Sequence, residues 1–142
     1  MLRDIDPILS PDLLHALASM GHGDEIVIAD ANFPAASSGP RCIRADGISA
    51  SDVLRAVLSV MPLDSYVSDP AITMQVVGEP DTIPDAVRDF QLIIESTADN
   101  PALIVSLERF EFYDRAGTAF AVVQTGEERL YGNIILKKGV IG

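Results

Sequence analysis

Short apolar runs rich in β-branched residues alternate along this chain with segments that carry a helical stripe and helix-capping residues. Strands of four to eight residues separated by helices fold most readily as a sheet covered on both faces by helices. The alternation therefore predicts an α/β fold, a three-layer α/β/α sandwich with a mixed, mostly parallel sheet. At 142 residues the chain has the length of one domain, and residues 1–142 are expected to form a single unit.

The punctuation is clearest at the first helix. Ser10 suits the N-cap, Pro11 the first helical position, and Asp12 the positive end of the helix dipole. Leu13, Leu14 and Leu17 form a stripe, and Gly21 is placed to end the helix in a left-handed conformation. A buried-type strand is expected at 25–30. A second helix is expected from Ser49, with Val53, Leu54, Val57 and Leu58 on its face and Pro62 as its stop. Residues 71–77 read as a strand. Thr82 and Pro84 open a third helix that runs to about residue 95. A short strand at 103–107, a short helix at 109–115 ending at Gly117, a strand at 118–124, a turn at 125–128 and a last strand at 130–137 complete the expected order.

Charge and composition narrow the function classes. The formal charge is −11, and the basic residues are scattered apart from Lys137-Lys138. A nucleic-acid backbone would be repelled by that field, so a small neutral ligand is the better partner. One cysteine, Cys42, cannot make an intrachain disulfide, and no basic-then-apolar leader or bilayer-length apolar run is visible. The expectation is a cytoplasmic protein with no membrane partner.

No phosphate-binding loop, dinucleotide fingerprint, nucleophile elbow or zinc-binding spacing is present. Two histidines and one cysteine do not make an ordinary zinc site without several carboxylates, and nothing in the sequence suggests a redox cofactor. What remains is a set of polar residues at element ends. His22 stands between Gly21 and Gly23, where the backbone can turn sharply and expose an imidazole suited to proton transfer near neutral pH. The same residue would serve equally as a surface turn histidine. His15, within the first helix, reads as solvent-facing. Asp30 ends a strand, where ligand crevices of α/β sheets lie, but it also suits an Asx turn before Asn32 and Pro34. Arg109 lies in Glu108-Arg109-Phe110-Glu111-Phe112-Tyr113, a mixture of donor and ring faces that suits a sugar, or an amphipathic helix with a surface ion pair. Tyr131-Gly132-Asn133 supplies a hydroxyl, a close backbone approach and an amide, or simply a strand start. Taken alone, these residues point to an α/β domain that binds a small polar ligand.

Taken together and in order, the motifs resemble the fucose mutarotase/ribose pyranase family along essentially the whole chain. They are Met20-Gly21-His22-Gly23-Asp24-Glu25, Asp30-Ala31-Asn32-Phe33-Pro34, Ile43-Arg44-Ala45-Asp46-Gly47, Leu63-Asp64-Ser65-Tyr66, Arg109-Phe110-Glu111-Phe112-Tyr113, Ala119-Phe120-Ala121 and Tyr131-Gly132-Asn133-Ile134-Ile135-Leu136-Lys137-Lys138-Gly139-Val140. Gly23, Arg109 and Gly132 follow the fucose branch, and Asp114 stands where glutamate is common. The resemblance implies an L-fucose mutarotase that interconverts the α- and β-anomers by acid/base ring opening and closure. Its alternatives are a D-ribose pyranase and a non-catalytic sugar-binding or transport-accessory protein. It implies His22 as the acid/base residue and Asp30, Arg109, Tyr131, Gly132 and Asn133 as the sugar-binding set. It further implies a homo-oligomer, a decameric ring of two stacked pentamers with sites near subunit interfaces, and neither metal nor cofactor.

Overall fold

In the computed structural model, which describes residues 1–142, Ser10 caps the first helix through its Oγ, which accepts the Leu13 amide at 3.2 Å. That helix, α1 (Pro11–Ser19), does not end at a left-handed Gly21. It stops where Met20 turns extended (ψ 139°), and the left-handed glycine is Gly23 (φ 87°). The reason lies far along the chain. Lys138 Nζ takes the carbonyls of Leu17 and Met20 at 2.8 and 2.6 Å, so a long-range cation satisfies the open end of the helix.

The remaining elements are β1 (Glu25–Ala29), β2 (Arg41–Ala45), α2 (Ala50–Leu58), β3 (Ala71–Met74), α3 (Asp85–Thr97), β4 (Val105–Leu107), α4 (Arg109–Gly117), β5 (Ala121–Thr125) and β6 (Ile134–Lys137), with a 3-10 turn at Ala35–Ser37. Strand β2 had no counterpart among the expected elements. Its Arg41 and Arg44 face solvent at the sheet edge, so it lacks the apolar signature of a buried strand. Strand β6 starts at Ile134 rather than at residue 130, because Tyr131 sits at φ 59°, outside the β region. Thr82 does not cap α3; Pro84 precedes its first residue.

The six strands form one sheet in the order β2-β5-β1-β6-β3-β4. Pairs β2/β5, β5/β1 and β3/β4 are parallel, whereas β6 runs antiparallel to both β1 and β3. The sheet is therefore mixed and mostly parallel, as expected. Side-chain alternation along β1 divides the interior. Ile26 and Ile28 point into a large core with α1, α2 and α3, while Val27 and Ala29 point into a smaller one built with Phe112 and Ala116 of α4. Helices thus cover both faces. No helix is long and apolar enough to cross a membrane.

The reversed strand has a consequence for function. The parallel strands β1, β3 and β4 deliver their carboxyl ends to one edge of the sheet, and β6 delivers its approach segment, 131–133, to that same edge.

Candidate active site

At that edge a cleft of about 270 Å³ opens, lined by Asp30 and Asn32 after β1, Met74 and Val77 around the end of β3, Arg109 and Tyr113 on α4, and Tyr131 and Asn133 before β6, with Phe33 and Leu130. Its size suits a ligand at the small end of the range for such sites. Four of the sequence candidates, Asp30, Arg109, Tyr131 and Asn133, are brought together here from segments as many as 103 residues apart.

Asp30 is the fixed point. It is buried, and its Oδ1 accepts the Asn32 amide at 2.9 Å while its Oδ2 accepts Asn133 Nδ2 at 3.0 Å. Asn133 in turn accepts the Asp30 amide at 2.7 Å, so the two residues clasp each other. Burial pushes the Asp30 carboxyl above the ordinary aspartate range, against the opposing pull of the Asn32 amide, the Asn133 side chain and the Phe33 and Gly132 amides. Gly132 does not line the cleft. It is packed behind it, where a β-carbon would come within 2.7 Å of Glu127 Cγ and 3.0 Å of the Arg129 carbonyl.

One face of α4 forms a wall. Arg109 and Tyr113, four residues apart, share that face, as Phe112 and Ala116 share the buried one. The rotation of α4 is held by a chelated ion pair at its far end, where Arg115 Nε and Nη2 bond Glu25 at 2.8–3.2 Å. The Tyr113 ring stacks on Phe33 with centroids 5.6 Å apart, and Phe33 meets Phe112 edge-on at 6.3 Å. The Tyr131 hydroxyl accepts the Val77 amide at 3.2 Å, which closes the β3 side of the cleft.

His22 is elsewhere. It precedes β1, and the five residues of that strand set it roughly 17 Å of strand away from Asp30, at the opposite edge of the sheet. There its Nε2 lies 3.1 Å from Oδ1 of the buried Asp64, and its ring packs 5.3 Å from that of the exposed Tyr66. Burial works to raise the Asp64 carboxyl. The Tyr66 amide, the His22 ring and the Lys137 ammonium outweigh it and hold Asp64 below the ordinary range. An ionised Asp64 only accepts, so His22 Nε2 is the donor in this contact. Asp64 reaches this position through backbone pairing with the end of β6. Its amide donates to Lys137, and the Gly139 amide donates to Pro62. A β-carbon on Gly139 would stand 2.8 Å from Asp64 Cα, so only glycine admits that approach.

The sequence candidates thus fall into two sets that one chain does not join. Asp64, Tyr113, Met74 and Phe33 were not singled out by their types or spacing. Phe33, Asp64 and Tyr113 lay within the motifs that carry the resemblance, Met74 did not, and a buried carboxylate bonded to an imidazole is visible only once the β6 end is paired.

Residues 3–141 match the model of the RbsD / FucU transport protein family. The chain belongs to this family. Among its solved relatives is the fucose mutarotase from Streptococcus pneumoniae in complex with L-fucose, 47% identical, covering 99% of this chain and 100% of that one with a TM-score of 0.92. FucU from Bifidobacterium longum is 42% identical, covering 97% of this chain and 99% of that one with a TM-score of 0.91. RbsD from Bacillus subtilis, complexed with D-ribose, is 23% identical over the full length of both chains with a TM-score of 0.74, and shares the fold.

Proposed function

We propose that this member of the RbsD / FucU family is an L-fucose mutarotase. The observation that carries the reading is the end-to-end likeness, at 47% identity, to a fucose mutarotase that holds L-fucose. The cleft supports it chemically. Asp30, Arg109, Tyr131 and Asn133 offer polar atoms to sugar hydroxyls, while Met74, Val77 and Leu130 offer apolar surface to the methyl group that replaces a hydroxymethyl in a 6-deoxy sugar.

Mutarotation requires a base to remove the anomeric hydroxyl proton and an acid to protonate the ring oxygen. The bond from C1 to the ring oxygen breaks as the C1 carbonyl forms. Rotation about C1–C2 presents the other face, and closure reverses both proton transfers. No electrons are gained or lost, so no redox group is required. His22 Nδ1 is the proton-exchanging atom, with Nε2–H held by Asp64. Asp30 and its clasp with Asn133 fix the sugar hydroxyls. Because His22 and the cleft lie at opposite sheet edges, a working site is assembled from the cleft of one chain and the His22 edge of a neighbour. A closed ring, a decamer of two stacked pentamers, repeats that contact around its circumference. We place the enzyme in the cytoplasm, a reducing compartment that suits a chain whose one cysteine, Cys42, is free.

The test is NMR saturation transfer on equilibrated L-fucose, with and without protein, and again on D-ribose. Exchange between anomers that appears only with protein, and more strongly for fucose, is expected. A larger effect on ribose moves the assignment to a pyranase, and sugar binding without added exchange makes the protein a binding accessory. Asp64→Asn keeps the shape of the residue and removes its charge. It is expected to lower the exchange rate roughly 10–100-fold, because the His22 tautomer is no longer dictated, with a modest fall in melting temperature from the lost carboxylate contacts. An unchanged rate would remove Asp64 from the mechanism.

A further inference from the structure

The turn that carries Tyr131 and Asn133 is braced from behind by groups that do not line the cleft. Glu127 is buried, and Arg129 Nε and Nη2 bond its carboxylate at 3.0 and 2.8 Å, while the Arg129 amide adds a third contact at 3.1 Å. The same guanidinium reaches Ser51 Oγ of α2 at 2.7 Å and Asp89 of α3 at 3.4 Å, and Ser51 donates to Asp89. Glu127 sits behind the two segments that supply Asp30 and Asn133. Its carbonyl accepts the amide of Ala31, beside Asp30, at 2.9 Å, and its Cγ lies where a β-carbon on Gly132 would be 2.7 Å away.

We propose that Arg129 is a positioning residue for the mutarotase reaction: it locks the 127–133 turn to α2 and α3, so that Tyr131 and Asn133 stay in register with Asp30. The inference rests on the mutarotase reading. Its logic is electrostatic. A carboxylate buried at Glu127 needs its cation, since an uncompensated buried charge is strongly unfavourable. The charged group that faces Glu127 is Arg129 on its own turn, with the Ala50 amide of α2 as a neutral donor; Asp89 of α3 meets the far side of the same guanidinium. With Arg129 absent, Glu127 keeps its buried position only when protonated. As pH rises and it ionises, it moves toward water and draws Gly132 and Tyr131 with it.

Arg129→Met is therefore expected to raise the KM for L-fucose about tenfold at neutral pH with a smaller change in kcat, the defect shrinking on acidification. Arg129→Lys, which keeps a charge but not the fork, should fall between it and the unmodified protein. The double variant Glu127→Gln/Arg129→Met should recover most of the KM and lose the pH dependence. Wild-type KM and pH profile in Arg129→Met, or a defect that Glu127→Gln leaves untouched, would overturn the proposal. Should Arg129→Met fail to fold, Arg129→Lys decides, and a wild-type KM there overturns it as well. The unmodified protein is assayed alongside. If it adds no exchange to L-fucose, the mutarotase reading has failed, and amide hydrogen exchange at 128–133 in the same variants still reports on the brace: faster exchange supports it and unchanged exchange rejects it.

Discussion

His22→Ala is expected to slow anomer exchange by roughly 10²–10⁴-fold while leaving the fold and the Asp30 cleft intact. The side chain is 46% exposed, and its hydrogen bond is to Asp64, so truncation opens no core cavity. It removes the one group at that edge suited to exchanging a proton near neutral pH. A second experiment uses the separation of the two sets of residues. An Asp30→Asn chain has a damaged cleft and an intact His22 edge, and a His22→Ala chain the reverse. Each is expected to be nearly inactive alone. Co-assembled, they bring some undamaged clefts against undamaged His22 edges and recover part of the rate. Full activity in folded His22→Ala would sink the acid/base role, and no recovery in the mixture would sink the shared site.

The largest expected effect on stability is at Gly126, the first residue after β5. Its amide donates to the Ile48 carbonyl at 2.8 Å, holding the turn against the connection between β2 and α2. A β-carbon there would lie 2.0 Å from the Asp46 carbonyl oxygen and 3.1 Å from its carbon. Alanine has no rotamer with which to escape, and the obstacle is backbone, so the turn or the connection must move. Gly126→Ala is expected to cost about 3 kcal/mol or more, since even ordinary overpacking costs 1–3 kcal/mol. For a chain of this size that corresponds to a fall in Tm on the order of 10 °C. Gly47, one residue beyond Asp46, is the control, because a β-carbon there meets nothing within 4 Å. Gly47→Ala should stay within about 0.5 kcal/mol of the unmodified protein. Thermal melts that place the two variants together would refute the clash.

Much of the architecture was legible in order of residues alone. The Ser10-Pro11 start of α1, the run that became β1 and the stripe of α2 are set by capping, β-branching and periodicity, which act within one or two turns of chain. The elements that escaped were governed from a distance. Strand β2 is a charged edge that pairs with β5, and the end of α1 is set by Lys138, more than a hundred residues later. The start of β6 is delayed by Tyr131, whose left-handed backbone belongs to a turn braced by Arg129.

The same division runs through the site. Residue type placed an exposed imidazole at His22 and an acid at the end of β1, because proton chemistry and strand-end position are local properties. Sheet topology decided that those two groups point to opposite edges, since a strand between them has a length that side chains cannot span. It also decided that antiparallel β6 brings Asn133 to Asp30 at one end and, through the pairing of its other end with residues 62–64, Asp64 to His22 at the other. Burial and hydrogen bonds that shift Asp30 up and Asp64 down arise only when segments distant in the chain exclude water from them, and no reading along the chain contains that exclusion.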